Sequence, residues 1–443
     1  MIAGDRRLPA LAASGGGLLA LTAIGISELE ADAIGRFVLV ALAQGAVYGL
    51  AAWLASRGGL SRGALVMILA IAAAMRLAVL AAPPSLSTDL YRYIWDGRVQ
   101  SAGINPYRYI PADRHLEPLR DDAIFPNINR STYAPTIYPP VAEMIFLAVT
   151  RLGEGVFVMK AAMVAFEIVA VAALLRLLAL SALPAERILL YVWHPLPIWE
   201  FAGSGHVDAA VIAFIALALW ACRRGKPWGA GIALGCAALV KFFPAVIFPA
   251  LYRRWDWRMP AAFAAVLLGA YLPYLGAGSA VFGFLSGYAH EEGFGGAGSG
   301  FYLWSLAEAF LRPGRFGSGL AYVAVAAALM AALAVAVLRH ANGADRGIGG
   351  ATLLAAAFTF LLSPHYPWYF TWLLTFCCFA PSLSLLYLTN ASVLLYLAPV
   401  GSLLVADTRR LLVESAIYLP FAALALLDLR RLRRPAAAGG SPA

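Results

Sequence analysis

Apolar runs of about twenty residues recur along this chain, and each is long enough to cross the hydrocarbon core of a bilayer. In hydrocarbon every backbone N–H and C=O must find a partner within the protein, which leaves helices and closed barrels. Continuous apolar runs select helices. The expected fold is therefore all-α, a polytopic transmembrane helix bundle. Composition agrees: 62% of the 443 residues are hydrophobic and 13% charged, against about 45–50% and about 25% in soluble domains.

Spans are expected near 8–26, 34–56, 64–82, 157–178, 188–203, 206–222, 260–276, 318–338, 349–363, 367–381, 383–404 and 410–429, about 11–13 in all. Half-helices are expected at 228–252, where Lys241 and Pro244 interrupt the run, with a re-entrant piece at 301–312. The first run follows Arg6 and Arg7 but lacks a small-residue cleavage site, so it reads as a span and not a signal peptide. Cys222, Cys236, Cys377 and Cys378 form no C-x-x-C pair, so neither a disulfide framework nor a zinc site is expected.

Basic residues gather in short links at 57–62, 223–226, 253–258 and 339–346 and in the tail Arg430-Arg-Leu-Arg-Arg434. The positive-inside rule puts these links and both termini in the cytoplasm. The net charge of +9 thus reports topology, and nucleic acid is not an expected partner. Four regions follow: N-terminal spans 1–82, an outer loop 83–156, a transmembrane bundle 157–429 and a basic tail 430–443. Within the outer loop, 90–102 reads as an interfacial helix with Tyr91, Ile94, Trp95 and Val99 as its apolar stripe. Segment 141–152 is too short and interrupted for a span and is left on the outer side. The glycine-rich stretch 277–300 reads as a mobile outer loop.

The loop motifs took no part in that orientation, yet they sort to one face. Asp89, His206, Asp208, Glu291, Glu292 and His365 all fall outside. Charged and polar groups at a membrane boundary are costly, and a convergent set marks a site. No inverted or parallel sequence repeat of the kind found in secondary transporters is visible.

Ser87-Thr-Asp-Leu-Tyr-Arg-Tyr-Ile-Trp-Asp-Gly-Arg98, then Gly103-Ile-Asn-Pro-Tyr107, then Ile137-Tyr-Pro-Pro140, resemble the first outer loop of GT-C-fold glycosyltransferases. The closest likeness is to bacterial GT87-like mannosyltransferases that use polyprenyl-phosphate-mannose. His194-Pro-Leu-Pro-Ile-Trp-Glu200 with Gly205-His-Val-Asp208, Leu239-Val-Lys-Phe-Phe-Pro244 and Ser363-Pro-His-Tyr-Pro-Trp-Tyr369 look like later landmarks of that group. The resemblance covers about 83–381. It implies a GT-C-like bundle, a polyprenyl-phosphate-linked sugar donor, a lipid or glycan acceptor, and Asp89 as general base. Two departures stand out. Thr88 and Leu90 flank a single acid where many relatives carry two, which argues against a metal-dependent version. Two spans precede the one that leads into the loop, as an appended hairpin.

Transfer from a lipid phosphate needs a base for the acceptor hydroxyl, a stabiliser for the departing phosphate and a grip on the sugar. Asp89 is the candidate base; the competing reading is that it caps the helix it opens. His206 and Asp208 are candidate substrate contacts or caps of their own span. His365 sits among Tyr366, Trp368 and Tyr369, rings that either stack on sugar or form an interfacial belt. Lys241 is a mid-span cation, placed near the lipid phosphate or paired with Glu200 or Glu167. Arg92 and Arg108 are alternative phosphate partners through bidentate guanidinium bonds. Asp96 pairs with Arg98 to support the loop or joins Tyr93 and Tyr138 as a substrate contact. Glu291-Glu292 offers a divalent cation two carboxylates, but a solvated acidic loop is the plainer reading, so no cofactor is assigned. The function expected is an inverting hexosyl transfer, mannose first, at the outer face of the cytoplasmic membrane; the rival is a transporter or flippase for a lipid-linked glycan.

Overall fold

The computed structural model describes residues 7–57, 59–291, 300–311, 319–340, 346–398 and 408–433. Every regular element among them is helical. Three long helices open the chain: α1 Leu8–Glu30, α2 Ile34–Ser56 and α3 Arg62–Leu80. The α1–α2 hairpin is bound into the bundle by buried polar contacts. Gln44 Nε2 donates to Thr22 Oγ1 at 3.0 Å, and its Oε1 accepts from Trp199 Nε1 at 2.7 Å. Tyr48 donates to the Leu190 carbonyl at 2.8 Å. Lipid cannot satisfy such groups, so interhelical bonds of this kind hold apolar helices in register.

Helices α4 Asp89–Ser101 and α5 Pro140–Leu152 lie in the stretch 83–156, with 3-10 turns Arg114–Leu119 and Phe125–Asn127 between them. The helix at α4 is the one the sequence predicts, but it is enclosed on more sides than its apolar stripe implies. Ile94, Trp95 and Val99 are buried, and so are Arg92, Asp96 and Gln100. Helix α5 lies against it at Gly97. A Cβ at Gly97 would meet Thr150 Oγ1 at 2.1 Å and the Phe146 carbonyl oxygen at 2.5 Å, so only a residue without a side chain permits this approach.

Helix α6 Val156–Leu180 is the next long span. Two buried cations fix α3 against it. Arg76 bonds both Glu167 oxygens, at 2.6 and 2.7 Å. Lys160 donates to the Val79 and Ala82 carbonyls at 3.0 and 2.5 Å, which places a positive charge at the negative end of α3.

The span expected at 188–203 is broken. It consists of the 3-10 turn Ala185–Ile188, α7 Leu189–Val192, α8 Pro195–Pro197 and a π-helical turn Ile198–Gly203. Pro195 and Pro197 remove two N–H donors from the ladder. The stretch 188–203 is buried throughout, the setting in which irregular backbone is tolerated at membrane depth. Helix α9 Asp208–Arg223 is buried along most of its length, and α10 Pro227–Val240 returns beside it. At Lys241 the chain becomes extended (φ −148°, ψ 143°), then continues as the turn Phe243–Ile247 and α11 Phe248–Leu251. These are the half-helices expected at 228–252.

Helix α12 Arg258–Gly269 bends by 77° into the 3-10 stretch Leu272–Phe282, where a continuous span over 260–276 is expected from hydropathy. Pro273 enters at the break and Gly278 takes φ +60°. The remaining helices are α13 Leu285–Glu291, α14 Tyr302–Leu311, α15 Gly319–His340, α16 Arg346–Leu362, α17 Leu373–Cys377, α18 Leu383–Ala391 and α19 Thr408–Arg433. Segment 367–381 and the described part of 383–404, residues 383–398, hold shorter helices than single spans would require, with 3-10 turns Pro367–Phe370 and Ser392–Leu397; residues 399–404 lie outside the described residues. Among the described residues, α1, α2, α3, α6, α15 and α19 are long and apolar enough to cross a membrane, six in all, or seven with the bent pair. The chain is thus an all-α polytopic membrane bundle. Residues 277–291 of the glycine-rich stretch include the end of the 3-10 stretch and α13, where a loop is expected; Glu292, the rest of that stretch to 299 and the tail beyond 433 lie outside the described residues.

Candidate active site

A cavity of about 550 Å³ opens where α4 begins. Residues 84–89 and 129–138 form one side, and the turn from His365 to Tyr369 forms another. Lys241, Tyr288, Tyr396, Arg410 and Glu414 complete the walls. The motifs at 87–98, 137–140, 239–244 and 363–369, far apart in sequence, therefore meet at one cavity.

Asp89 occupies the first position of α4 and is partly exposed to the cavity. Its carboxylate does not cap the helix; the N-cap residue is Thr88, with no side-chain cap bond. Instead Asp89 Oδ1 accepts from Asn129 Nδ2 at 2.6 Å. One carboxylate oxygen is held by Asn129, and the group faces open space that an acceptor hydroxyl can enter. That is the geometry a general base requires.

Asn129 and Arg130 are functional candidates that the sequence reading missed. Arg130 adopts φ +55°, a left-handed conformation uncommon away from glycine and often found at functional sites. Its Nε donates to Glu291 Oε2 at 2.8 Å, and Tyr133 donates to the other oxygen at 3.1 Å. Burial works against the Arg130 charge, but the bond and field of Glu291 outweigh it and raise its pKa further. Glu291 thus ties α13 to the 130–133 segment. No group of three or more His, Cys, Asp and Glu converges among the described residues.

Lys241 projects into the cavity from the break after α10. Its partner is neither Glu200 nor Glu167, the two acids expected from sequence. Glu167 belongs to Arg76, and Glu200 accepts from Tyr396 at 2.7 Å. Lys241 Nζ donates to Asp208 Oδ2 at 2.7 Å and lies 4.4 Å from the centre of the Tyr369 ring. Asp208 opens α9 and Lys241 follows the end of α10, so the hairpin through the 224–226 link brings the two to the same end of the pair.

His206 is fully buried behind the wall. It stacks on Trp368 with centroids 4.1 Å apart, and Trp368 stacks on Tyr366 at 4.4 Å. Of the expected aromatic set, Tyr366 and Trp368 line the cavity while His206 and Asp208 support its wall from behind. His365 lines the cavity and contacts Arg410 Nη2 through Nδ1 at 2.6 Å. Arg410 is also held by Glu414 at 2.9 Å. Arg410 stands in the first turn of α19, outside every motif that the sequence offers.

The remaining candidates fall elsewhere. Arg92 is buried away from the cavity; its Nε bonds both Asp96 oxygens at 2.8 and 3.0 Å and Nη1 donates to the Ala134 carbonyl. Asp96 is therefore not the partner of Arg98, which pairs with Asp121 and Glu154. Tyr93 is buried and stacked on Phe146, and both rings meet Tyr138 edge-on. Tyr138 itself reaches the cavity. Arg108 is exposed and outside the lining.

An apolar cavity of about 290 Å³ adjoins this chamber. The two share Ile137, Tyr138, Lys241, Tyr288 and Tyr369. Beyond them the second cavity is lined by Phe242, Phe243, Leu285, Phe301, Leu362 and Trp372 among others. A polar chamber and an apolar slot thus meet at a lysine.

This is a membrane protein with a chemically equipped chamber set into its helix bundle. Residues 8–256 match the MptA_B family, described as alpha-(1->6)-mannopyranosyltransferase, N-terminal domain. The match covers more than half of the chain, which belongs to this mannosyltransferase family. No curated protein and no solved structure matches it. Asp89, Asn129, Arg130, Tyr138, His206, Asp208 and Lys241 fall inside the matched region; the His365 turn and Arg410 lie beyond it.

Proposed function

We propose that the protein transfers a mannosyl group from a polyprenyl-phosphate carrier to a hydroxyl of a lipid or glycan acceptor, forming an α-1,6 linkage. The architecture is of the GT-C type, near the GT87-like enzymes, with the chamber on the outer face of the cytoplasmic membrane. The observation that carries this reading is the junction at Lys241 between the polar chamber and the apolar slot. A polyprenyl phosphate has that same division, an anionic head on a long apolar tail, and burying the tail contributes about 0.8 kcal/mol per methylene. A nucleotide sugar offers no use for the slot.

Asp89 removes the proton from the acceptor hydroxyl as that oxygen bonds to the anomeric carbon. The bond from this carbon to the phosphate oxygen breaks, and the electron pair leaves with the polyprenyl phosphate. Attack from the side opposite the phosphate inverts the anomeric centre. Lys241 and Arg410 stabilise the departing phosphate, while Tyr366 and Trp368 offer their faces to sugar. The donor is tested with purified enzyme in lipid nanodiscs, supplied with mannose on either polyprenyl phosphate or GDP. Product from the lipid-linked donor alone supports the reading. Product from GDP-mannose in the absence of any polyprenyl phosphate contradicts it.

A further inference from the structure

We infer that the end of the bundle remote from the catalytic chamber holds a site for one anionic phospholipid. Helix α9 runs from Asp208, beside the chamber, to Arg223, and α10 returns from Pro227 to Lys241. With a rise of about 1.5 Å per residue, the link between them lies roughly 20–24 Å from the chamber. At that link a second cavity of about 780 Å³ opens, larger than the catalytic one.

Its lining has two zones. Leu177, Leu219, Leu251, Leu338 and Ile348 form an apolar floor between helices. Arg223, Lys226, Arg253, Arg254, Arg258 and Arg339 form the rim, and among the described lining residues Asp256 is the one carboxylate. Asp256 engages Arg258, at 2.8 and 2.9 Å. Basic residues in short links set topology without forming any cavity. Here they converge from three separate links onto one concave site, which topology alone does not require. Trp228, Trp255 and Trp257 stand exposed beside it, with Trp228 and Trp257 packed edge to face. Exposed tryptophans at this level mark the headgroup zone of a bilayer.

A cationic rim over an apolar floor matches a phosphate headgroup carried on acyl chains. Basic pockets between transmembrane helices bind such headgroups, and each lysine or arginine near an anionic surface contributes about 1 kcal/mol. A soluble phosphate would use the rim and leave the floor in water. The occupant is therefore a membrane phospholipid, held by charge and by its chains together. It occupies a place distinct from the donor lipid, at the opposite end of α9 and α10.

The test is native mass spectrometry of the full-length protein released from nanodiscs of equal parts phosphatidylglycerol and phosphatidylcholine. Wild type should retain one phosphatidylglycerol in at least tenfold preference. The variant Lys226→Gln/Arg253→Gln/Arg254→Gln should lose that preference. Arg62→Gln, at the same end on α3 but outside the lining, should keep it. Leu338→Trp, which fills the floor and leaves every charge in place, should lower retention. Equal retention of both lipids by wild type would overturn the inference, as would an Arg62→Gln effect equal to that of the triple variant. Full displacement of the lipid by millimolar glycerol 3-phosphate would also overturn it, because the site would then be one for soluble phosphate.

Discussion

Helix α4 carries two aspartates with opposite fates. Asp89 stands at its first position, partly exposed, held by the single bond from Asn129. Asp96, two turns on, is buried, clasped by Arg92 and packed over α5 beside Glu143. The first can exchange its proton with an incoming ligand. The second can only be lost at the cost of leaving an arginine uncompensated. On the proposed mechanism, one motif of twelve residues holds both the base and the brace that aims it. Charge and hydropathy are the same for each; burial is what separates them.

Asp89→Asn should lower mannosyl transfer by about 10²–10⁴-fold, the usual worth of a positioned base, while the melting temperature stays within a degree or two of wild type in a thermal-shift assay. Asp96→Asn should do the reverse. Leaving one member of a buried pair without its partner costs about 3–5 kcal/mol, so the yield and thermal stability of the variant should fall sharply. Turnover per folded molecule should remain near that of wild type.

Asn129→Ala sharpens the first half of the comparison. A hydrogen bond to a charged group contributes about 1.5–3 kcal/mol; its loss should reduce kcat roughly 10- to 100-fold with little change in KM for the donor. A large rise in KM with kcat preserved would reassign Asn129 to binding.

A smaller effect tests the brace. Burial pushes the Glu143 carboxyl well above its usual range, and Asp96 pushes it the same way. Thr136 and Gln100 donate to its two oxygens at 2.6 and 2.8 Å. A carboxyl whose folded pKa is raised favours folding most below its unfolded pKa of about 4.3, and this contribution fades as pH rises through the folded value. Thermal stability should therefore decline toward alkaline pH in wild type and decline less in Glu143→Gln. Parallel melting curves from pH 5 to 9 would contradict this.

Much of the fold was legible because hydropathy reports solvent directly. The long helices α1, α2, α3, α6, α15 and α19 fall where apolar runs of span length stand in the sequence. The 188–203 run misled because hydropathy sees composition and not backbone: Pro195 and Pro197 break a stretch that is buried all the same. The bend after α12 escaped for the same reason. In the site, residues carrying a conspicuous motif were found, and Asp89, Tyr138, Lys241, His365, Tyr366 and Trp368 do line one cavity. Partnerships were not legible. That Lys241 meets Asp208, that Arg92 meets Asp96 and that Arg130 meets Glu291 follow from turn geometry and helix docking, which residue types do not encode one at a time.

We propose that α4 presents Asp89 for proton transfer and keeps Asp96 for structure. The most direct measurement is single-turnover transfer of labelled mannose from polyprenyl-phosphate-mannose by Asp89→Asn and Asp96→Asn side by side, each normalised to folded protein. The account predicts a folded but inactive Asp89→Asn and a scarce but active Asp96→Asn. Wild-type turnover by Asp89→Asn, or loss of turnover per folded molecule confined to Asp96→Asn, would contradict it.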